Sequence, residues 1–255
     1  MQLTLTAFEN FPEVELSSPL ADIILRSGEL NGWQWEDGDI LVLAQKIVSK
    51  SENRLFNLND IEFGDEALRY AALTGKDPAL IELILSESKN VLRTRKGLVI
   101  VEHNHGFICA NAGIDQSNVK GVEGKEGRWV LLLPENPDKS AATIRNDIES
   151  QTGKRIAVII IDSHGRSWRK GVVGVAIGVS GLSPLLDRRG YKDRFGYELK
   201  VTEIGTADEL ASAASILMGQ ADEGRPVVVV RGYPYPLTDG SISEIIRNEK
   251  DDLFR

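Results

Sequence analysis

The stretch RIAVIIIDSHGRSWRKGVVGVAIGVSG, residues 155–181, decides the fold of this chain. It opens with an unbroken apolar run, Ile156 to Ile161, whose short length and β-branched composition predict a strand buried on both faces. A carboxylate and a hydroxyl, Asp162 and Ser163, follow directly. Open α/β sheets bind ligands beyond the ends of such strands, so the stretch predicts a site at the strand's exit. A core strand with an exposed polar turn is the simpler alternative, since Asp and Ser are common turn residues.

Cations and glycines follow this predicted strand. Arg166, Arg169 and Lys170 fall within five residues, and glycines then punctuate a second apolar run that ends at Gly181. Cations beside a carboxylate indicate an anionic ligand, most simply phosphate.

Composition sets the broad class of the protein. The chain has 255 residues, of which 42% are hydrophobic and 27% charged, as in an ordinary globular protein. The formal net charge of −8 argues against a nucleic-acid partner. A single cysteine, Cys109, excludes an intrachain disulfide and fits a reducing cytoplasm. The first residues lack the pattern of a signal peptide, and no apolar run reaches the roughly 18 residues of a membrane span. We therefore expect a cytoplasmic protein.

Hydrophobic periodicity predicts a mixed α/β fold with mixed sheets, because the strands and helices do not alternate cleanly. No linker divides the chain, so we expect one domain over residues 1–255, with two lobes whose boundary the sequence does not assign. The predicted strands are 1–8, 40–44, 91–95, 97–102, 107–110, 129–134, 156–161, 199–205 and 226–230. The predicted helices are 19–27, 63–74, 77–89, 140–152 with Ser140 as its cap, 206–217 and 241–248.

The histidine pair His103 and His105 suggests a metal site only weakly. On a strand the two rings share one face, but zinc needs further ligands that the neighbouring sequence does not offer. A polar hairpin turn before Gly106 is the better interpretation.

Two aspartates carry the chemistry that the residues themselves indicate. Asp115, in NAGIDQSNV (111–119), repeats the pattern of Asp162, because each follows an apolar strand. No P-loop, Rossmann, GxSxG or HExxH motif is present. Two carboxylates, with Ser163 and Gln220 as neutral oxygen donors, suit magnesium or manganese better than zinc.

Basic residues and a glycine-bearing loop suit a phosphorylated ligand. Candidate cations for a triphosphate or an acidic co-substrate are Lys46, Lys50, Arg166, Arg169 and Lys170. Any single lysine is more often a solvated surface residue. Backbone amides of residues 218–225 are a candidate phosphate cradle. The residues thus indicate metal-dependent handling of a phosphorylated ligand, without naming a substrate.

Longer motifs carry a family resemblance. They are NAGIDQSNV, IDSHGRSWRKGVVGVAIGVSG (161–181), GYEL (196–199), ADELA (207–211), MGQADEG (218–224) and VVVRG (228–232). In this order they resemble the coenzyme F420-0:L-glutamate ligase, or F420:γ-glutamyl ligase, family in its stand-alone form. The match covers nearly the whole chain.

The resemblance implies both an activity and an assembly. It implies a GTP-dependent ligase that adds L-glutamate through γ-glutamyl amide bonds to F420-0, by way of an acyl phosphate. It implies magnesium or manganese, two ions per site, with potassium as a further ion. It also implies an intertwined homodimer of an unusual mixed α/β fold, with neither nucleic acid nor membrane as a partner. The alternatives are an amide ligase for another carboxylate acceptor and a nucleotide-binding dimer without catalysis.

The resemblance also assigns site residues. Metal positions fall on Asp115, Asp162, Ser163 and Gln220, and catalytic roles on Asp115, Asp162 and Lys50. Nucleotide contacts fall on Phe11, Pro12, Glu13, Val14, Gln45, Lys46, Lys50, Asn118, Met218, Gly219, Gln220, Ala221, Asp222, Glu223, Gly224 and Arg225, with Asn118 at the guanine.

Three positions depart from the family pattern. Ser163 stands where Thr is common, His164 stands where Asn is common, and Gln220 keeps an oxygen where an acidic residue can occur. The missing charge at Gln220 predicts weaker metal binding there.

Overall fold

The structure is a computed structural model, and it describes residues 2–253. The strands are β1 (Thr4–Ala7), β2 (Ile40–Ala44), β3 (Leu55–Asn57), β4 (Ser88–Arg95), β5 (Leu98–His103), β6 (Ile108–Ala110), β7 (Trp129–Leu131), β8 (Ala157–Arg166), β9 (Arg169–Ser180), β10 (Leu186–Asp187), β11 (Glu203–Ile204) and β12 (Val227–Arg231). The α-helices are α1 (Leu20–Leu30), α2 (Gln45–Ser51), α3 (Asp65–Thr74), α4 (Pro78–Ser86), α5 (Pro137–Thr152) and α6 (Thr206–Met218).

The main sheet has five strands in the order β1-β12-β2-β8-β9. β2 and β8 run parallel, whereas the other neighbouring pairs run antiparallel. The predicted mixed α/β fold with a mixed sheet is therefore confirmed.

Both faces of this sheet are covered by helices, because successive side chains of a strand point to opposite faces. In β2, Leu41 and Leu43 face a core shared with α1, α2 and α5. Their neighbours Ile40 and Val42 face a second core shared with α6. The uninterrupted apolar run that ends at Ile161 has the same cause, since a strand covered on both faces needs no polar side.

Strand β9 approaches α6 closely at a glycine. A Cβ at Gly174 would lie 2.6 Å from the carbonyl oxygen of Ala211 in α6, closer than side-chain atoms tolerate. Gly174 thus permits close contact with α6, whereas a Cβ at Gly178 would lie 2.5 Å from the backbone of Pro137 in α5. The register of the β8–β9 pair shifts between Ile160 and Ile161, where β9 carries one extra residue, as in a β-bulge.

A third core lies beside the main sheet. It is formed by α3, α4, the three-stranded sheet β4-β5-β6 and the pair β3-β7. Phe107 packs against both this core and the α1–α5 face of the main sheet.

Several predicted elements have different bounds in the structure. Helix α5 begins at Pro137, not at Ser140, because Asn136 is the cap and its side chain accepts from the backbone N of Lys139. The predicted strand 199–205 is paired only over β11. The predicted helix 241–248 is a single 3-10 turn, Ile242–Ile245, closed by a capping box at Ser241.

None of the helices within residues 2–253 is long and apolar enough to span a bilayer.

Candidate active site

A cleft of about 950 Å³ opens at one edge of the main sheet. Strand β2 ends there beside Ile161 of its parallel neighbour β8, which continues to Arg166, and β12 begins there because it is antiparallel to β2. The backbone N of Ala44 donates to the carbonyl of Pro226 across this edge, at 2.9 Å. This is the edge at which open α/β sheets bind their ligands.

Asp162 reaches the cleft where β8 leaves the core. Ile161 is 5% exposed, whereas Asp162 is half-buried and Ser163 is exposed. Nε2 of His164 lies 3.0 Å from Oδ2 of Asp162. The two groups are close enough for an ion pair but not aligned for a hydrogen bond, and among residues 2–253 this buried Nε2 has no hydrogen-bond partner.

Asp115 enters the cleft from the part of the chain that packs on the third core. Its backbone is fixed by paired hydrogen bonds with Leu131, each 2.9 Å. Its Oδ2 accepts from Nε2 of Gln45 at 2.6 Å and lies 3.1 Å from Nζ of Lys46. Burial raises the pKa of Asp115; Lys46 opposes this rise, and the negative charge of Asp162 adds to it. Asp162 therefore acts on Asp115 electrostatically within one cleft.

A buried hydrogen-bond chain orients Asp115. Ser49 is fully buried, and its Oγ donates to Oε1 of Gln45 at 2.8 Å. Gln45 is 1% exposed and opens α2 directly after β2. Since Oε1 is engaged by Ser49, the amide NH₂ of Gln45 is directed at the carboxylate.

A second chain orients the neutral oxygen donors. Oγ of Ser163 donates to Oε1 of Gln220 at 2.7 Å. Nε2 of Gln220 donates to Oγ of Ser215 at 3.0 Å, which fixes the amide so that its oxygen faces Ser163. The two predicted neutral donors thus lie together, beside Asp162.

These side chains fit a hard divalent cation. Magnesium and manganese take one or two carboxylates, with neutral oxygens, phosphate and water completing the shell. The cleft offers two carboxylates, Asp115 and Asp162, with a hydroxyl and an amide oxygen. Among residues 2–253 no group of three or more His, Cys, Asp or Glu side chains converges on one point. The donor set therefore suits an ion that also binds a phosphorylated ligand better than it suits a closed structural site.

The cations of α2 are already paired with carboxylates. Lys46 contacts Asp115 and also donates to the carbonyl of Ser117 at 3.0 Å. Lys50 pairs with Glu13, and only 12% of the Lys50 side chain is exposed. Both lysines line the cleft, so a polyanion entering it meets two positioned ammonium groups.

The glycine-bearing loop between α6 and β12 forms one wall. Gly219 has φ 75° and ψ −176°, and a Cβ there would collide with the carboxylate of Glu223. That carboxylate accepts from the backbone N of Ala221 at 2.8 Å. At least one amide of the predicted phosphate cradle is therefore engaged by the chain's own anion. Across the cleft, Nδ2 of Asn118 donates to the carbonyl of Ala221 at 2.8 Å.

The cleft brings together most of the predicted site. Its lining includes Glu13, Gln45, Lys46, Lys50, Asp115, Asn118, Asp162, Ser163, Met218, Gly219, Gln220, Ala221, Asp222, Glu223, Gly224 and Arg225. Phe11, Pro12 and Val14 do not line it; Val14 is 3% exposed and Phe11 packs against the α1–α5 core. Arg166, Arg169 and Lys170 lie further along the β8–β9 hairpin, outside the lining, where Arg166 donates to the carbonyl of Lys170 at 3.2 Å.

Sequence reasoning missed Ser215, Lys120 and His164 as cleft residues. Ser215 lies inside the alanine-rich helix α6, five residues before Gln220. Ser215 could have been predicted as a cleft residue from its short distance in sequence to the glycine loop, but only if the end of α6 at Met218 had been known.

The histidine pair lies in a hairpin turn, as predicted. The backbone N of Gly106 donates to the carbonyl of His103 at 2.8 Å, which closes the turn between β5 and β6. Nδ1 of His103 accepts from the backbone N of His105 at 3.0 Å, so this ring nitrogen is occupied.

The fold and cleft define a mixed α/β protein with a charged, oxygen-lined cleft at the end of its sheet, suited to a phosphorylated ligand. The profile of the F420-0:Gamma-glutamyl ligase family matches residues 10–232. A protein of Methanocaldococcus jannaschii named coenzyme F420:L-glutamate ligase is 49% identical over 221 residues, covering 86% of each chain. A protein of that name from Methanothermobacter thermautotrophicus is 44% identical over 257 residues, covering 100% of each chain. One from Methanosarcina mazei is 40% identical, covering 100% of this chain and 96% of the relative. The chain belongs to the F420-0:gamma-glutamyl ligase family.

Proposed function

We propose that this chain joins L-glutamate to coenzyme F420-0 through an amide bond and consumes GTP in doing so. One observation carries the proposal: Asp115 and Asp162, 47 positions apart by their numbers in the sequence, face one cleft together with Lys46, Lys50 and a fixed pair of neutral oxygens. The family and the names of its relatives supply the substrates.

The first step activates the acceptor. A carboxylate oxygen of F420-0 attacks the γ-phosphorus of GTP, the bond from phosphorus to the β–γ bridging oxygen breaks, and GDP leaves. The product is an acyl phosphate. Phosphoryl transfer needs positioning and charge neutralisation more than covalent help from the protein. Lys46 and Lys50 supply ammonium groups to the triphosphate, and the loop of residues 218–225 bounds its position.

The second step forms the amide. The glutamate amine attacks the acyl carbon, the new C–N bond forms, the C–O bond to phosphate breaks, and the nitrogen loses one proton. Inorganic phosphate leaves. Because the acyl phosphate hydrolyses in water, the walls of the cleft must hold the amine close to the acyl carbon.

Asp115, Asp162, Ser163 and Gln220 are the residues that would hold magnesium or manganese, two ions per site, with potassium as a further ion. When bound, such ions neutralise phosphate charge and polarise phosphoryl oxygens. Gln45 and Lys46 both contact Oδ2 of Asp115, so Oδ1 is the oxygen that would serve as a metal ligand.

We further propose the intertwined homodimer of the family, within one domain spanning the chain, and a cytoplasmic location. Exposed apolar side chains favour a second copy, since Phe195 is 92% and Val201 84% exposed. Light scattering of the purified protein measures the assembly, and a monomer at micromolar concentration would contradict it.

Asp162→Asn tests the proposal. Mass spectrometry of reactions with GTP, manganese, L-glutamate and F420-0 should find a product heavier by one glutamyl group with wild type. The variant should form none while its thermal unfolding is unchanged. Asp147→Asn, on the exposed face of α5 and outside the cleft, is the matched control and should retain activity. Wild type that binds GTP without product points to a non-catalytic dimer. Turnover of a different carboxylate points to another acceptor.

A further inference from the structure

A second, smaller cavity adjoins the cleft. Its volume is about 270 Å³, and His164 and Gly165 line both spaces. Drug-sized ligands occupy roughly 300–1,000 Å³, so the main cleft suits a nucleotide and the small cavity suits something smaller. Since His164 contacts Asp162, the small cavity opens beside the proposed reaction centre.

The lining of this cavity is partly apolar and carries both signs of charge. The apolar residues are Phe107, Ile108, Val175, Ile242, Ile245 and Ile246, and the charged residues are Asp208, Arg247 and Asp252. The ring of Phe107 lies 5.3 Å from that of His164, centroid to centroid, and keeps the imidazole at the boundary between the two spaces.

The charged groups belong to different elements of the lining. Asp208 stands in the first turn of α6, where its Oδ1 accepts from the backbone N of Ala176 at 2.9 Å. It is close enough to His164 for their charges to interact. Arg247 follows the 3-10 turn Ile242–Ile245 and lines the small cavity but not the cleft. Within residues 2–253, Arg247 is exposed and makes no ion pair, so its guanidinium is available to a ligand.

We infer that the small cavity binds the incoming L-glutamate, with Arg247 on its side-chain carboxylate and its amine beside His164, facing the acyl group in the cleft. The inference rests on the proposed function, which requires an amine donor, and it assigns that donor a place. The lining supplies a guanidinium for a carboxylate and the carboxylate of Asp208 for an ammonium group, which together match the charges of an amino acid. Guanidinium pairs with carboxylates more strongly than neutral donors do.

The geometry also separates the donor from the acceptor. The nucleotide and the acceptor carboxylate share the cleft, because the first step joins them. The amine must reach the acyl carbon from another side, and the two spaces adjoin at His164 and Gly165, which line both.

Arg247→Met tests the assignment. The KM for L-glutamate should rise about 10- to 100-fold, as expected when a charged hydrogen-bond donor is removed. The KM values for GTP and F420-0 should stay within about twofold. The ratio of kcat/KM for L-glutamate to that for L-glutamine should fall by a similar factor, because glutamine lacks the side-chain carboxylate that Arg247 is proposed to bind. Arg93→Met, an exposed arginine on β4 that lines neither space, is the matched control.

Val175→Phe provides a second variant, since it fills the cavity without removing a charge. It should raise the KM for L-glutamate selectively, with thermal unfolding measured to confirm folding. A rise confined to the KM for F420-0 in Arg247→Met would overturn the assignment and place the acceptor's acidic tail there instead. Unchanged kinetics in Arg247→Met would overturn it as well.

A failure of the proposed function can be distinguished from a failure of this assignment. If wild type makes no product, equilibrium dialysis with radiolabelled L-glutamate still reports on the cavity. Binding to wild type that is lost in Arg247→Met supports the assignment, and no binding to wild type overturns it.

Discussion

Gln45 and Asp115 are 70 residues apart in sequence, and Nε2 of Gln45 donates a 2.6 Å hydrogen bond to Oδ2 of Asp115. The donor is buried and is itself held by Ser49. The carboxylate is thus oriented by the first residue of α2, which directly follows a strand of the main sheet, although the backbone of Asp115 pairs with Leu131 of β7. Two parts of the chain must dock correctly before this carboxylate points into the cleft.

Gln45→Met should weaken manganese binding about 10- to 100-fold, because it removes the group that orients a proposed ligand while nearly preserving volume. Electron paramagnetic resonance of added manganese measures this without turnover. Gln151→Met is the matched control, since Gln151 also donates to a carboxylate, Asp22, at 2.8 Å but on the exposed surface. Equal manganese affinity in wild type and Gln45→Met would contradict the role.

Arg231→Met should destabilise the fold by about 3–5 kcal/mol, because it leaves the fully buried Asp39 without its partner. Nε of Arg231 donates to Oδ1 of Asp39 at 2.7 Å and Nη2 donates to Oδ2 at 2.8 Å. The guanidinium also lies 4.2 Å from the ring centre of Trp33. Urea unfolding measures the loss. Arg189→Met breaks an exposed pair with Asp187 and should leave the urea midpoint close to that of wild type, because solvent screens the pair.

Stability should fall below neutral pH because of His103. Burial lowers its pKa from 6.5 to about 3, so the folded protein holds this ring neutral. The unfolded chain takes up a proton below about pH 6.5. Stability from this group is therefore complete above pH 6.5 and is lost as the pH falls towards 3, by about 2 kcal/mol at pH 5.

Urea unfolding of wild type and His103→Phe at pH 7.5 and pH 5 measures that dependence. The variant loses the hydrogen bond to His105 at both pH values, so only the difference between the two is informative. His105, whose pKa is also lowered by burial, leaves a residual slope of the same sign. Parallel pH profiles for the two proteins would rule out the assignment to His103.

The thiol of Cys109 should be inert in the folded protein. It is 6% exposed, and burial raises its pKa to about 12, with Asp162 adding to the rise. At pH 8 the thiolate fraction is then about one part in ten thousand. Because the chain has one cysteine, reaction with Ellman's reagent reports this group alone. Slow reaction in buffer and fast reaction in denaturant are expected; rapid labelling of the native protein would refute the burial.

The sequence predicted the sheet well where local pattern and burial agree. The apolar run at residues 156–161 predicted the buried part of β8, and the pairing with β9 then carries the strand on to Arg166. That extension depends on backbone hydrogen bonds to β9, and residues 162–166 have no hydrophobic pattern from which it could be predicted. The helix predicted over residues 241–248 is only a 3-10 turn, Ile242–Ile245. Its apolar residues have helical spacing, but the segment is too short to form an α-helix.

The parts of the site that could not be predicted depend on long-range contacts. Asp115 and Asp162 were found because each follows an apolar run of the sequence, although β8 continues through Asp162. The orientation of Asp115 by Gln45, and of Gln220 by Ser215, depends on which elements pack together. The small cavity is lined by residues of β6, β8, β9, α6 and the segment after residue 240, so it could not be predicted from any single stretch of sequence.

Three basic residues that line the cleft are paired with carboxylates of the chain itself. Lys46 and Lys50 each face a carboxylate before any ligand arrives, and Arg225 lies 3.4 Å from Glu9. A polyanion that binds in the cleft therefore replaces the carboxylates as partners of these basic side chains, instead of neutralising unpaired positive charges. Its affinity should respond only weakly to ionic strength, much less than the number of basic residues around it suggests.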